Sequence, residues 1–285
     1  MENRLIILIL GESTGLECLK TLINIDKLKI SHVISADKKY NKKILRLCRL
    51  RKISFLTSKE FELKKKKINF IKRKKYFLIS IFSSLILSSS FINNFKGRAY
   101  NFHPGLLPFY PGKNCVSGAL YNKEKKSGVS LHIMTSIVDG GMIIKKRIIK
   151  VSSKDNLMTL MLKLKYCCIH LFKEFSLDLY KRKKFKKIKN NKRLIKNFPK
   201  NIPLKGKVGQ TTSFSEFQKL YRASFSGPYK SGWGKIYFQF SGMKKFINYY
   251  KTSNFKLKNK LKKISKNIFI IKIKNRVLRV ETNDN

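Results

Sequence analysis

The chain has 285 residues, is 42% hydrophobic and carries a formal net charge of +50, enough apolar content for one large domain plus a smaller one. Its five cysteines, Cys18, Cys48, Cys115, Cys167 and Cys168, are odd in number and lack metal-ligand spacing, which excludes a cysteine metal site and fits a reduced cytoplasm. Lys, Asn, Ile, Phe and Tyr abound while alanine occurs only at Ala36, Ala99, Ala119 and Ala223, so codon bias accounts for most of the charge, although anionic partners are attracted whatever its origin.

In chain order, Met1-Glu2-Asn3-Arg4 leads into an apolar run too short for the core of a signal peptide. Leu5–Leu10 reads as a buried strand ending at Gly11, and Gly15–Ile23 has helical spacing of Leu16, Leu19 and Leu22. Gly11-Glu12-Ser13-Thr14-Gly15 is not a dinucleotide fingerprint, because Glu12 repels phosphate and the glycines serve a tight turn. Lys29–Ala36 predicts a second strand, Asn41–Leu50 a helix, Ile53–Leu56 a short strand and Glu60–Ile71 a charged helix. The uncharged, Ser-rich stretch Tyr76–Ile92 follows a basic flank like that of a membrane span. It reads better as a buried strand, Tyr76–Phe82, and a short helix, so no membrane partner is expected. Strands alternating with helices predict a doubly wound, mostly parallel α/β sheet with its ligand site at the strand C-termini.

A strand end at Ala99–Phe102 leads into Asn101-Phe102-His103-Pro104-Gly105-Leu106-Leu107-Pro108. Asn101 and His103, two apart, share a face of that strand, and the prolines force a loop beyond it. Val129–Met134 and Met142–Ile149 predict two strands joined by Asp139-Gly140-Gly141. An amide, an imidazole and a carboxylate suit acyl transfer: two N–H donors for an oxygen gaining charge, and a base to orient the ring. His132 alternates with Leu131 and Ile133 on a strand and is expected to play a structural or supporting part.

Taken with Tyr110-Pro111-Gly112 and Gly128-Val129-Ser130-Leu131-His132, this pattern resembles the core of the formyltransferases that use 10-formyltetrahydrofolate, over roughly residues 76–152. The resemblance implies a Rossmann-like fold, a catalytic triad of Asn101, His103 and Asp139, 10-formyltetrahydrofolate as formyl donor, and no metal. It further implies that the pterin slots between Phe82, Ser83, Leu85, Ile86 and Leu87 and the loop with Gly140 and Gly141. The acceptor side would involve Ser13 and Thr14 of the first turn and Pro104, Gly105, Leu106, Tyr110 and Gly112 of the motif.

Asp155–Tyr180 predicts a long amphipathic helix. The Lys- and Asn-rich stretch after it reads as a solvated linker, 181–203, with nothing catalytic in it. A short helix, Ser213–Tyr221, and strands Lys235–Phe240, Lys245–Tyr250, Ile268–Ile273 and Arg276–Val280 then predict a small OB-like β-barrel, 204–285, following a catalytic domain, 1–180. Tyr221-Arg222-Ala223-Ser224-Phe225 with Gly227-Pro228 resembles the opening of the C-terminal domain of longer formyltransferases.

The two-domain layout and positive field resemble the methionyl-tRNA enzymes, which makes methionyl-tRNA the expected acceptor. Three departures, Asp37–Asn41 in place of a long basic loop, Gly105 in place of Ser and the flank Gly112-Lys113-Asn114-Cys115, suit enzymes that formylate nucleotide-linked amino sugars. A catalytically idle RNA-binding relative is the third reading.

Overall fold

The computed structural model describes residues 4–25, 28–64, 76–227, 232–254, 257 and 260–282. They form two compact units. The first comprises 1–112, 126–149 and 163–196; the second comprises 113–125, 150–162 and 197–285. Segments 113–125 and 150–162, expected within a first domain, thus cluster with the C-terminal residues.

The first unit is built on a seven-stranded sheet of β1 (Arg4–Leu10), β2 (Leu28–Ser35), β3 (Ser54–Thr57), β4 (Tyr76–Ile81), β5 (Ala99–His103), β6 (Lys126–Ile133) and β7 (Ile143–Lys150), in the order β3-β2-β1-β4-β5-β6-β7. Strands β1 to β5 are parallel, and β6 returns antiparallel to β5. The central runs are apolar at every position because both faces are covered: Ile6 through Ile9 are fully buried. On one face Ile7, Ile9 and Leu78 pack with Phe61, Phe91 and Phe95. The covering helices there are α3 (Ser58–Lys64) and α4 (Ser89–Asn93). On the other, Tyr100 and Phe102 of β5 meet Phe175 and Phe172 at 5.1 and 5.5 Å between ring centroids. The sheet is mostly parallel and doubly wound, as the alternation of elements predicts.

Three neighbouring strand ends form the crest where the site lies. Gly11 N donates to Ile81 O at 2.9 Å and Phe82 N to Phe102 O at 3.2 Å, linking the exits of β1, β4 and β5. A Cβ on Gly11 would fall 1.9 Å from Phe82 O, so this crossing requires glycine. Helices α1 (Glu12–Ile23) and α2 (Asn41–Leu50) follow the first two strands. The charged helix expected over Glu60–Ile71 is described as far as Lys64; its remainder lies outside the described residues. Tyr76–Ile92 resolves into β4, an irregular stretch and α4. No helix among the described residues is long and apolar enough to cross a membrane.

The long helix after β7, α6, spans Leu157–Tyr180. The stretch beyond it, read as a solvated linker, is mostly exposed but carries apolar anchors. Phe185 packs on Phe175 and Tyr100 at 5.3 and 6.2 Å, and Ile188 and Ile143 exchange backbone hydrogen bonds at 2.8 Å. These anchors sit at irregular intervals among lysines, so no periodic pattern announces them.

In the second unit, α5 (Cys115–Tyr121) and α7 (Phe214–Ser224) accompany a five-stranded antiparallel sheet of β8 (Tyr237–Phe240), β9 (Met243–Ser253), β10 (Leu261–Ser265), β11 (Ile268–Ile273) and β12 (Arg276–Thr282). The order is β10-β11-β12-β9-β8. Phe217, Leu220, Phe238, Phe269, Leu278 and Val280 fill this small barrel-like unit. Both α5 and β10 are absent from the expected elements. The five cysteines are buried and form no disulfide.

Candidate active site

Strand β5 delivers Asn101 and His103 to one face while Phe102, between them, turns to α6. Antiparallel pairing sets His132 opposite Asn101 and Ser130 opposite His103, and directly paired residues project to the same side. His132 thus joins the site through register. Ser130 Oγ accepts from Leu107 N at 2.9 Å and donates to Gly105 O at 2.8 Å, which ties the loop after the motif to β6.

Asp139 is the hub. Its backbone is left-handed at φ 51°, a conformation that costs a non-glycine residue energy and needs support from its surroundings. Support comes from Asn190, whose Nδ2 donates to Asp139 O at 2.7 Å and to Gly141 O at 3.3 Å. Asp139 Oδ1 faces Asn101 Nδ2 at 3.3 Å and His132 Nε2 at 3.1 Å, and Oδ2 faces Gly112 N at 2.8 Å and His103 Nδ1 at 3.2 Å. Burial alone would raise its pKa. The positive charge of His103, the hydrogen bond and charge of His132 and the Gly112 N–H outweigh that and hold the carboxyl well below the usual carboxylate range. Asp139 is therefore an anion under all ordinary conditions.

His103 is 4% exposed, and both ring nitrogens meet oxygen. Nε2 lies 2.6 Å from Tyr110 O, so it carries a proton, and Nδ1 faces Asp139. Burial lowers the pKa of the ring below the ordinary histidine value, against the upward pull of Asp139 and the Tyr110 carbonyl. Gly105 makes the Tyr110 approach feasible: a Cβ there would sit 2.8 Å from His103 Nε2 and 3.0 Å from Tyr110 O. His132 Nδ1 lies 2.9 Å from Ile133 O and bears the proton for that bond, while Nε2 sits between Asn101 Nδ2 at 3.1 Å and Asp139 Oδ1. The arrangement offers two N–H donors beside a fixed anion in a dry setting, which suits stabilising an oxygen that becomes negative.

The structure brings Asn101, His103 and Asp139 together. Of the residues expected to meet the pterin, Phe82 is buried with φ 46°, Leu85 and Leu87 are half-buried, and Ile86 is 66% exposed. In the other expected segment Ile137 and Val138, just before Asp139, are 51% and 58% exposed. Of the acceptor-side residues, Tyr110 and Gly112 act through backbone groups on His103 and Asp139. Thr14 is buried and Ser13 half-buried, so only Ser13 of that pair is open to a ligand. Pro104 and Leu106 remain half-exposed on the loop.

Sequence reasoning missed Asn190, whose surroundings read as linker, and Glu12. The Glu12 backbone is left-handed at φ 51°, and its Oε2 is buried without a hydrogen-bond partner among the described residues. Burial and the nearby Asp37 charge push its carboxyl up to about 7. No group of His, Cys, Asp and Glu suited to a metal occurs among the described residues.

Comparison with known proteins places this geometry. The bifunctional polymyxin resistance protein ArnA of Wigglesworthia glossinidia brevipalpis is 30% identical over 152 residues, covering 53% of this chain and 23% of that protein. The chain thus spans about a quarter of that curated relative. WlaRD, a sugar 3N-formyl transferase crystallised in the presence of dTDP and 5-N-formyl-THF, superposes with a TM-score of 0.72 at 19% identity over 100% of both chains. The N-formyltransferase of Helicobacter canadensis, in complex with folinic acid and dTDP-3-aminofucose, gives 0.70 at 19% identity, covering 99% of this chain and 100% of its own. Residues 4–167, more than half of the chain and including the whole Asn101, His103 and Asp139 cluster, match the formyl transferase family model, and the chain belongs to that family.

Proposed function

We propose that the chain transfers a formyl group from 10-formyltetrahydrofolate to the amino group of a nucleotide-linked amino sugar. The convergence of Asn101, His103 and the anionic Asp139 at the end of β5 carries this reading. The likeness to a sugar 3N-formyl transferase over the full length of both chains favours a sugar amine over methionyl-tRNA as acceptor. In this reading residues 1–180 supply the chemistry and 204–285 form a small accessory domain.

Exposed Ile86, Ile137 and Val138 give apolar rims for a flat ring, and residues 83–88 belong to neither helix nor strand, which leaves their backbone groups outside any ladder. When bound there, 10-formyltetrahydrofolate supplies the carbonyl carbon that is transferred. The amine adds through its lone pair, the bond from that carbon to the folate nitrogen breaks, and the proton lost by the amine ends on that nitrogen. Asn101 Nδ2 and His103 share the negative charge that builds on the formyl oxygen. Asn101 is engaged with Asp139 at 3.3 Å, a long contact that can be exchanged for a charged oxygen, and His103 Nδ1, 3.2 Å from Asp139, becomes an N–H donor when the ring takes up a second proton. Asp139 holds the imidazole in place and favours its protonated form as the proton moves.

The test is loss of 10-formyltetrahydrofolate, followed spectroscopically, with a panel of nucleotide-linked 3-amino and 4-amino sugars beside charged initiator tRNA. Formylation of a sugar nucleotide is the expected result. Turnover with tRNA alone would reverse the assignment of the acceptor, and no turnover with any acceptor would favour an idle relative.

A further inference from the structure

The second unit holds a cleft of about 300 Å³, partly open to solvent and lined by Tyr221, Phe225, Ser226, Lys235, Ile247 and Asn248 among others. Its size is out of proportion to a packing defect, since it equals the liquid volume of roughly ten waters.

The walls are specific and stiff. The Tyr221 and Phe225 rings stack at 5.3 Å with 24° between planes, and Tyr221 is buttressed by Tyr250 edge-on at 4.9 Å. The Tyr221 hydroxyl donates to Asn248 O at 2.8 Å, fixing ring and strand together. Ser224 Oγ is turned away, donating to Leu220 O at 2.6 Å. Asn248 Nδ2 is buried and has no hydrogen-bond partner among the described residues. A buried N–H donor without a partner is costly unless something fills the role. Lys235 is exposed on the lining and provides a cation there.

From these features we infer that the cavity is a second ligand site, separate from the Asn101–His103–Asp139 cluster. Its ligand is a flat heteroaromatic ring with a carbonyl oxygen for Asn248 Nδ2 and an anionic tail for Lys235, the chemistry of a pyrimidine nucleotide. Tyr221 is itself stacked between Phe217 and Phe225, so the Phe225 ring provides the stacking surface, while the amide reads the ring edge and the lysine reads the charge.

Uridine 5′-monophosphate and uridine, titrated calorimetrically into the full chain, test the site. Saturable binding of the nucleotide is expected, weakened at least ~10-fold by Asn248→Leu, which removes the donor and fills the space. Lys235→Ala should weaken the monophosphate roughly 2- to 5-fold and leave uridine unchanged. The exposed position of Lys235 keeps this second comparison readable even if Asn248→Leu fails to fold. Absence of binding would mean that the cavity holds ordered water only. Binding indifferent to Asn248→Leu in a folded variant would place the ligand elsewhere, and equal effects of Lys235→Ala on both probes would remove the anionic tail; each result overturns the inference.

Discussion

His103 Nδ1 and Asp139 Oδ2 lie 3.2 Å apart, joining the last residue of β5 to a loop residue held at positive φ. Neither side chain reaches solvent freely. The pair depends on the rest of the cluster for its protons, and most of the expected behaviour of the site follows from that dependence.

Asp139→Asn replaces one of two acceptor oxygens with a donor, although Asn101, His132, Gly112 and His103 all approach that carboxylate with nitrogen. The clash of donors should lower kcat by roughly 10³ to 10⁴ while circular dichroism shows the fold retained. His103→Ala should have a similar effect. A folded double variant that still turns over would refute the assignment of the pair.

Asn190 acts at a distance from the reacting atoms by tethering the carbonyls of Asp139 and Gly141. Asn190→Ala leaves both acceptors without that donor and should cut kcat/KM about 10-fold. Because the tethered loop is proposed to form one rim of the donor site, KM for the folate should rise more than kcat falls. An equal fall in stability with unchanged kinetic constants would limit Asn190 to a structural part.

Acid should weaken the fold in two stages. The His103 ring has a pKa below 6.5 in the fold because of burial, so the unfolded chain binds the extra proton more readily and stability declines as pH falls through that range. Asp139, held below 3.8 despite its burial, contributes stability above its unfolded value that is lost as pH falls further, through the folded pKa. Urea melts from pH 8 down to pH 2 should show the first stage and the onset of the second, with the second missing in Asp139→Asn.

Glu12 has the opposite sign. Its pKa rises from 4.5 to about 7, so the folded chain keeps a proton that the unfolded chain releases, and stability falls as pH rises between those values. The shift corresponds to on the order of 3 kcal/mol at 1.36 kcal/mol per unit. Glu12→Gln should therefore stabilise the protein at pH 8 and leave it nearly unchanged at pH 4, measured by urea denaturation. Equal stability of variant and parent at pH 8 would show that the carboxylate finds a partner when ionised.

The parallel sheet was legible because β1 and β4 are apolar runs and strand and helix patterns alternate along the chain, whereas the meeting of Asp139 with Asn101 and His103 was expected from the resemblance to the formyltransferases. The contact of His132 with Asn101 depends on antiparallel register, which no local pattern encodes. Helix α5 was missed because Cys115 through Leu120 are all buried, leaving no amphipathic stripe. Strand β10 escaped because, apart from Leu261, its residues are exposed, Ile264 included, so hydrophobicity does not alternate. Asn190 is one asparagine in a lysine-rich run, and only the fold distinguishes it.

The hydrogen bonds that link the exits of β1, β4 and β5 also work as a ruler. Two interstrand steps of about 4.8 Å separate the turn at Gly11 from the end of β5, roughly 10 Å in all. An acceptor whose amine touches His103 and whose far end rests on that turn must span this distance. Under the proposed reading a sugar ring with a phosphate attached has the length to do so, and the spacing of a parallel sheet would then favour acceptors of that size.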